Sequence, residues 1–174
     1  MAGGVNLYSY AGNNPISFFD PFGLDTLRYN GTTLTLIGDD GKTRWSGRAY
    51  SGRPGTTAKD QKKSWLGPIP EGTYSLDTKK ITHRTGLRGW LRSRTGDWGS
   101  YRAPLEPAAG TDTHGRDRFF LHGGKTPGSA GCIDVCKLEN ELFPILEKHE
   151  DPITVIVDYP SPETQPTPPE EKKQ

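Results

Sequence analysis

The chain lacks an excess of either charge: 22 Lys and Arg against 21 Asp and Glu leave a formal +1 over 174 residues. A general nucleic-acid binder carries a marked basic excess, so no nucleic-acid partner is expected. Also missing are an apolar run long enough to cross a membrane and a secretory leader pattern. Neither membrane insertion nor an export signal of its own is therefore expected. Cysteine is scarce. Cys132 and Cys136 lie four residues apart, and on one helix they would be poorly placed for an unstrained disulfide, so both are read as thiols. No Cys-x-x-Cys pair occurs and the four histidines are scattered, so neither a metal nor another cofactor is expected.

Apolar residues are sparse as well, at 31% of the chain. Part of the deficit sits at the end, where residues 160–174 hold five prolines and almost nothing to bury, which reads as a disordered tail. Without this tail and the first 24 residues, about 135 remain, enough for one sizeable core.

What is present centres on Phe119-Phe-Leu-His122-Gly-Gly-Lys-Thr-Pro-Gly-Ser129-Ala-Gly-Cys132-Ile-Asp134. A cysteine attacks as thiolate, and a neighbouring imidazole or a helix N-terminus favours that form. Phe119 to Leu121 read as a short buried strand ending at His122, and Cys132 is read as opening a helix. A cysteine at a helix start is more often a small buried hydrophobe than a nucleophile. Here a strand-end histidine, several glycines and a serine accompany it, which shifts the reading to catalysis. Cys132 is then the nucleophile and His122 the general base. The amides of Gly131 and Cys132 form an oxyanion hole, and Ser129 either orders the loop by a hydrogen bond or serves as an N-cap. Gly123 is a close-approach position beside the base, and Asp134 holds either His122 or the helix start. His114 is either a surface-loop histidine or a further polar group of the site. Tyr74 and Trp65 are placed in a substrate cleft, with the core as the alternative for Tyr74. Cys136 is read as a buried thiol.

Around this segment the chain reads as mainly β (α+β), without internal repeats. Thr33–Ile37 alternates, 38–41 turns, and Lys42–Tyr50 returns, which is a hairpin. Ser51 to Lys63 reads as loop, and Gly72–Leu76 as the next strand, starting where Pro68 and Pro70 stop pairing. Between 82 and 118 the pattern dissolves, with short strands suggested at 90–93 and 98–101. Arg84, Arg88, Arg92, Arg94 and Arg102 gather there, read either as a solvated face or as a lip for an anionic partner. Leu138, Leu142, Ile145 and Leu146 mark one helical stripe, with Pro144 expected to kink or divide it. Pro152–Tyr159 reads as a closing strand.

Ser129-Ala130-Gly131-Cys132, preceded by His122, resembles the catalytic motif of L,D-transpeptidases of the YkuD type, with alanine where that family has the histidine of its Ser-His-Gly-Cys tetrad. The alanine and the shorter spacing from His122 match the divergent branch found among antibacterial type VI secretion effectors. Gly67-Pro-Ile-Pro-Glu-Gly-Thr-Tyr74 is similar to a second block of that family, and the likeness spans about residues 25–159. It implies a small β-sandwich-like fold with one helical segment after the cysteine. It further implies acyl transfer through a thioester, without a cofactor, on the peptide stems of peptidoglycan. Removal of terminal D-alanine, or its exchange for another D-amino acid, in the periplasm of a target bacterium would follow, with a cognate immunity protein as partner.

Residues 1–24, with Asp20-Pro-Phe-Gly-Leu24, resemble the end of a rearrangement-hot-spot (Rhs) core. That likeness implies self-cleavage between Leu24 and Asp25, a parent Rhs shell, and delivery by type VI secretion machinery. Two other enzyme readings use the same residues. One is a cysteine protease or amidase acting on protein; the other is a metal-dependent nuclease built on His114, His122, Asp112 and Asp117. A wall-binding module without activity is the non-enzymatic reading.

Overall fold

The computed structural model describes residues 25–83 and 98–160. The expected boundary residue Leu24, the Rhs-like segment, the strand suggested at 90–93, four of the five clustered arginines and nearly all of the proline-rich tail lie outside these residues.

A nine-stranded sheet forms the body, in the order β3 (Thr43–Arg48), β2 (Thr33–Ile37), β1 (Thr26–Tyr29), β9 (Ile153–Val157), β4 (Gly72–Leu76), β6 (Tyr101–Pro107), β7 (Phe119–His122), β8 (Ile133–Asp134), with β5 (Thr82–His83) paired to β6. The hairpin reading holds. β1 (Thr26–Tyr29) turns at Asn30-Gly31 into β2 (Thr33–Ile37), and β2 turns through Gly38–Gly41 into β3 (Thr43–Arg48). The side chain of Asn30 accepts from the amides of Thr32 and Thr33, and Gly31 takes a positive φ of 97°, which glycine adopts without strain. Along β1 and β2 the alternation buries Leu27, Tyr29, Leu34 and Leu36.

β4 (Gly72–Leu76) and β9 (Ile153–Val157) fall where the pattern put them. β9 lies between β1, to which it is parallel, and antiparallel β4, so the last strand of the domain locks its two halves together. Its Ile153, Val155 and Val157 are almost fully buried. Each such side chain contributes about 1.5–3 kcal/mol of hydrophobic stabilisation.

The irregular stretch holds more order than its sequence suggested. β5 is Thr82–His83, and β6 runs Tyr101–Pro107, the longest strand, beginning at the end of the stretch suggested at 98–101. Pro104 and Pro107 obscured it, yet Ala103 and Leu105 alternate into the core. β6 pairs with β7 (Phe119–His122), which pairs in parallel with β8 (Ile133–Asp134). The sheet curls until its ends meet: the amide of Tyr50, just past β3, donates to the Asp134 carbonyl, and the Asp134 amide donates back to Tyr50.

The helix expected from Cys132 does not start there. Cys132 lies in a bend, β8 follows, a 3₁₀ turn spans Cys136–Leu138, and the helix α1 runs Glu139–Leu146. The β-branched Ile133 and Val135, both wholly buried, fit a strand that fills the gap beside β7. Pro144 is accommodated inside α1 without dividing it, and Leu142, Phe143 and Leu146 seal the core. Phe143 stacks on Tyr101 with ring centroids 4.9 Å apart.

Candidate active site

β7 delivers His122 at its end, and the loop 123–132 returns the chain to β8 beside it. The register sets Arg102, His122 and Asp134 in one row across β6, β7 and β8. Cys132 stands two residues before Asp134, with its sulfur on the amide of Phe120, two residues before His122 on β7. Both expected partners are buried, Cys132 at 2% and His122 at 1% exposure.

The imidazole is held in one tautomer. Nδ1 lies 2.6 Å from the Gly123 carbonyl, which can only accept, so Nδ1 carries the proton. Nε2 is then a bare acceptor, buried and without a hydrogen-bond partner among the described residues. Burial lowers the His122 pKa, helped by the Arg102 charge and opposed by the Gly123 hydrogen bond, Asp134 and Glu139. His122 is thus neutral and ready to take a proton.

Burial pushes the Cys132 thiol up. Hydrogen bonds to the sulfur from the Phe120 amide and the Ser129 side chain, together with the charges of Arg102 and Arg116, act the other way. No helix N-terminus assists, which corrects that part of the sequence reading. Burial thus disfavours the charged form of both groups, the thiolate and the imidazolium.

The expected oxyanion hole is corrected too. The Gly131 amide is spent on the Gly67 carbonyl at 3.0 Å, and the Cys132 amide faces the Ser129 carbonyl at 3.4 Å. Gly131 serves packing instead: it takes a φ of 78°, and a Cβ there would stand 2.6 Å from the Arg116 guanidinium. Ser129 does order the loop, through its bond to sulfur and a carbonyl that accepts from Gly52. Asp134 anchors the loop from below, accepting from the amides of Gly128 and Cys136, so it holds the 3₁₀ turn and the loop and acts on His122 only through its charge. Gly123 is a close-approach position, but toward protein: a Cβ would collide with the carboxylate of Glu139.

One placement differs from expectation. Tyr74 is 1% exposed, donates to the Pro70 carbonyl at 2.8 Å and packs edge-on against Phe119, so it belongs to the core and lines no cleft. Trp65 is 78% exposed. His114 pairs with Asp112 at 3.0 Å and lines a separate cavity of about 270 Å³ with Lys59, Gln61 and Glu71. The four residues of the nuclease reading are not gathered, and no three His, Cys, Asp or Glu cluster as metal ligands among the described residues. Cys132 and Cys136 form no disulfide. No helix of the described residues is long and apolar enough to cross a membrane. Asp25, expected at the cleavage boundary, accepts from the Asp39 amide and pairs with His149 at 2.7 Å.

Four residues of the site were not assigned from sequence. Arg116 donates to the carbonyls of Gln61, Pro68 and Gly67, fastening the Gly-Pro-Ile-Pro block to the segment before β7, while the Gly131 amide ties the same block to the loop 123–132. The buried Glu139 accepts from the amides of Ser100 and Tyr101 at 2.8 and 3.0 Å. Trp98 lies 4.7 Å from the His122 ring, and Arg102 lies over Trp98 and Phe120. Arg102 belonged to the arginine cluster seen in the sequence. Glu139, an acid at a helix start, and Trp98, in an irregular stretch, carried no distinctive signal.

A curled, mainly β domain that buries a cysteine and a histidine where two parallel strands meet defines the class. Residues 45–155 match the model of the Tlde1 domain, so the chain belongs to that family of type VI effector domains. Membership is consistent with an effector toxin that is secreted and acts on target cells. No curated protein matches the chain.

Proposed function

We infer that this domain is a cysteine acyltransferase acting on peptidoglycan peptide stems, releasing or exchanging the terminal D-alanine. The observation that carries the reading is the buried, unpartnered Nε2 of His122, with its tautomer fixed by Gly123, on the strand whose Phe120 amide holds the Cys132 sulfur. In this reaction Nε2 takes the thiol proton as sulfur attacks the stem carbonyl. The C–N bond then breaks, and the imidazolium returns the proton to the departing amine. Water or a free D-amino acid next attacks the thioester, with His122 as base again, and the thiol is restored.

The likeness to L,D-transpeptidases at 129–132 and 67–74 supplies the substrate, and the family supplies the effector role. The same reading makes residues 25–159 the toxin, released from an Rhs shell by cleavage after Leu24, active in the periplasm and neutralised there by an immunity protein. Purified wild type and Cys132→Ala are to be incubated with tetrapeptide-rich peptidoglycan and the muropeptides weighed. Loss or exchange of terminal D-alanine by wild type alone is expected. Unchanged muropeptides with both would overturn the reading. Toxicity from the cytoplasm, without export, would favour a protein substrate.

A further inference from the structure

Two cations act on the Cys132 sulfur, and they are not alike. Arg116 has its guanidinium engaged with three backbone carbonyls. Arg102 is exposed, and its guanidinium makes no hydrogen bond or ion pair with the described residues. It lies over the ring of Phe120 at 3.5 Å and that of Trp98 at 4.7 Å. Ring contacts use the face of the guanidinium and leave its in-plane N–H groups open. Its position is fixed relative to the reacting groups: Arg102 is paired in register with His122, and the Phe120 beneath it donates its amide to the Cys132 sulfur. A guanidinium on an exposed residue, with no donor spent on the described residues and held by aromatic rings on the strand next to His122, is built to receive a planar anion.

We propose that Arg102 is a carboxylate receptor: it binds the free C-terminal carboxylate of the acyl donor and so restricts Cys132 to the last residue of a peptide. The substrate class rests on the reading above, but the anion receptor does not. It makes the enzyme an exopeptidase-type acyltransferase, blind to internal bonds.

The test compares how fast iodoacetate and iodoacetamide alkylate Cys132, followed by peptide mass spectrometry at pH 8 in wild type, Arg102→Gln and Arg102→Lys. The two reagents share the same displacement of iodide by sulfur and differ in the carboxylate. Changes in thiol pKa or access therefore cancel in the ratio of rates. Thermal melts confirm that the variants fold. The receptor predicts an iodoacetate-to-iodoacetamide ratio that falls about tenfold or more in Arg102→Gln, the size of one charge-assisted hydrogen bond, and is largely kept in Arg102→Lys. A ratio unmoved by Arg102→Gln would overturn it. In parallel, wild type is given a stem tetrapeptide as free acid and as C-terminal amide, and strong preference for the acid is expected. Equal cleavage of both would also overturn the receptor. If the alkylation ratio falls and neither peptide is cleaved, the receptor stands and the wall substrate fails.

Discussion

At the scale of single residues, His122 and Cys132 are each kept uncharged by burial, His122 with its pKa lowered and Cys132 with its pKa raised. For the proposed acyl transfer the competent form is then the one with both groups neutral. For His122 the sign is clear: a depressed pKa keeps the base deprotonated to lower pH than an ordinary imidazole. The acid limb of kcat/KM is therefore predicted below the usual histidine value of 6.5, and a limb above it would contradict the desolvated base. His122→Gln removes the acceptor and should lower kcat/KM by about 10²–10⁴-fold, read on a stem tetrapeptide. The strand that ends at His122 was legible in the sequence from the apolar run Phe119–Leu121. The oxyanion amides were not, since nothing local shows that Gly131 donates to Gly67, 64 residues away.

Among elements, the Gly-Pro-Ile-Pro block and the nucleophile loop form one braced unit. Gly67 approaches the Asp60 backbone so closely that a Cβ would overlap its carbonyl, while its own carbonyl accepts from Gly131 and Arg116. Lysine at 116 keeps the charge and loses the fork that spans three carbonyls. Arg116→Lys is predicted to cost about 1–3 kcal/mol in urea unfolding, the penalty for buried acceptors left unpaired. The second brace is Glu139, which joins the start of α1 to the start of β6. Glu139→Ala strands two amides and should destabilise by about 2–4 kcal/mol, with Glu139→Gln milder because one amide oxygen remains. A loss below about 0.5 kcal/mol would show that these amides find other partners. The strand at 33–37 was legible from alternation, and those at 43–48, 72–76, 119–122 and 153–157 from the turn, the prolines and the short apolar runs that bound them. The helix start was misplaced because Ile133-Asp-Val135 is short enough to fit either pattern, and only pairing with β7 decides it.

At the scale of the whole molecule, the sheet closes on itself through Tyr50 and Asp134, and β9 bridges the early hairpin to the later strands. Asp25 is tied to His149, and Tyr159 donates to the Ile69 carbonyl at 2.7 Å, so both ends of the described unit are fastened to its body. A protein spanning 25–160 is therefore predicted to fold alone and melt within about 2 °C of the full chain; a shift beyond the roughly 4–8 °C worth of 1 kcal/mol would mean that the excluded residues add stability. Closure of this kind was not legible, because pairing between residues 50 and 134 leaves no local pattern. The central claim is that Cys132 forms a thioester with a trimmed peptide stem, and the most direct measurement is intact-protein mass spectrometry after rapid acid quench with a stem tetrapeptide. The account predicts an adduct on Cys132 equal to the stem less its terminal D-alanine, absent from Cys132→Ala. Turnover without any such adduct in wild type, or an adduct that persists in Cys132→Ala, would contradict it.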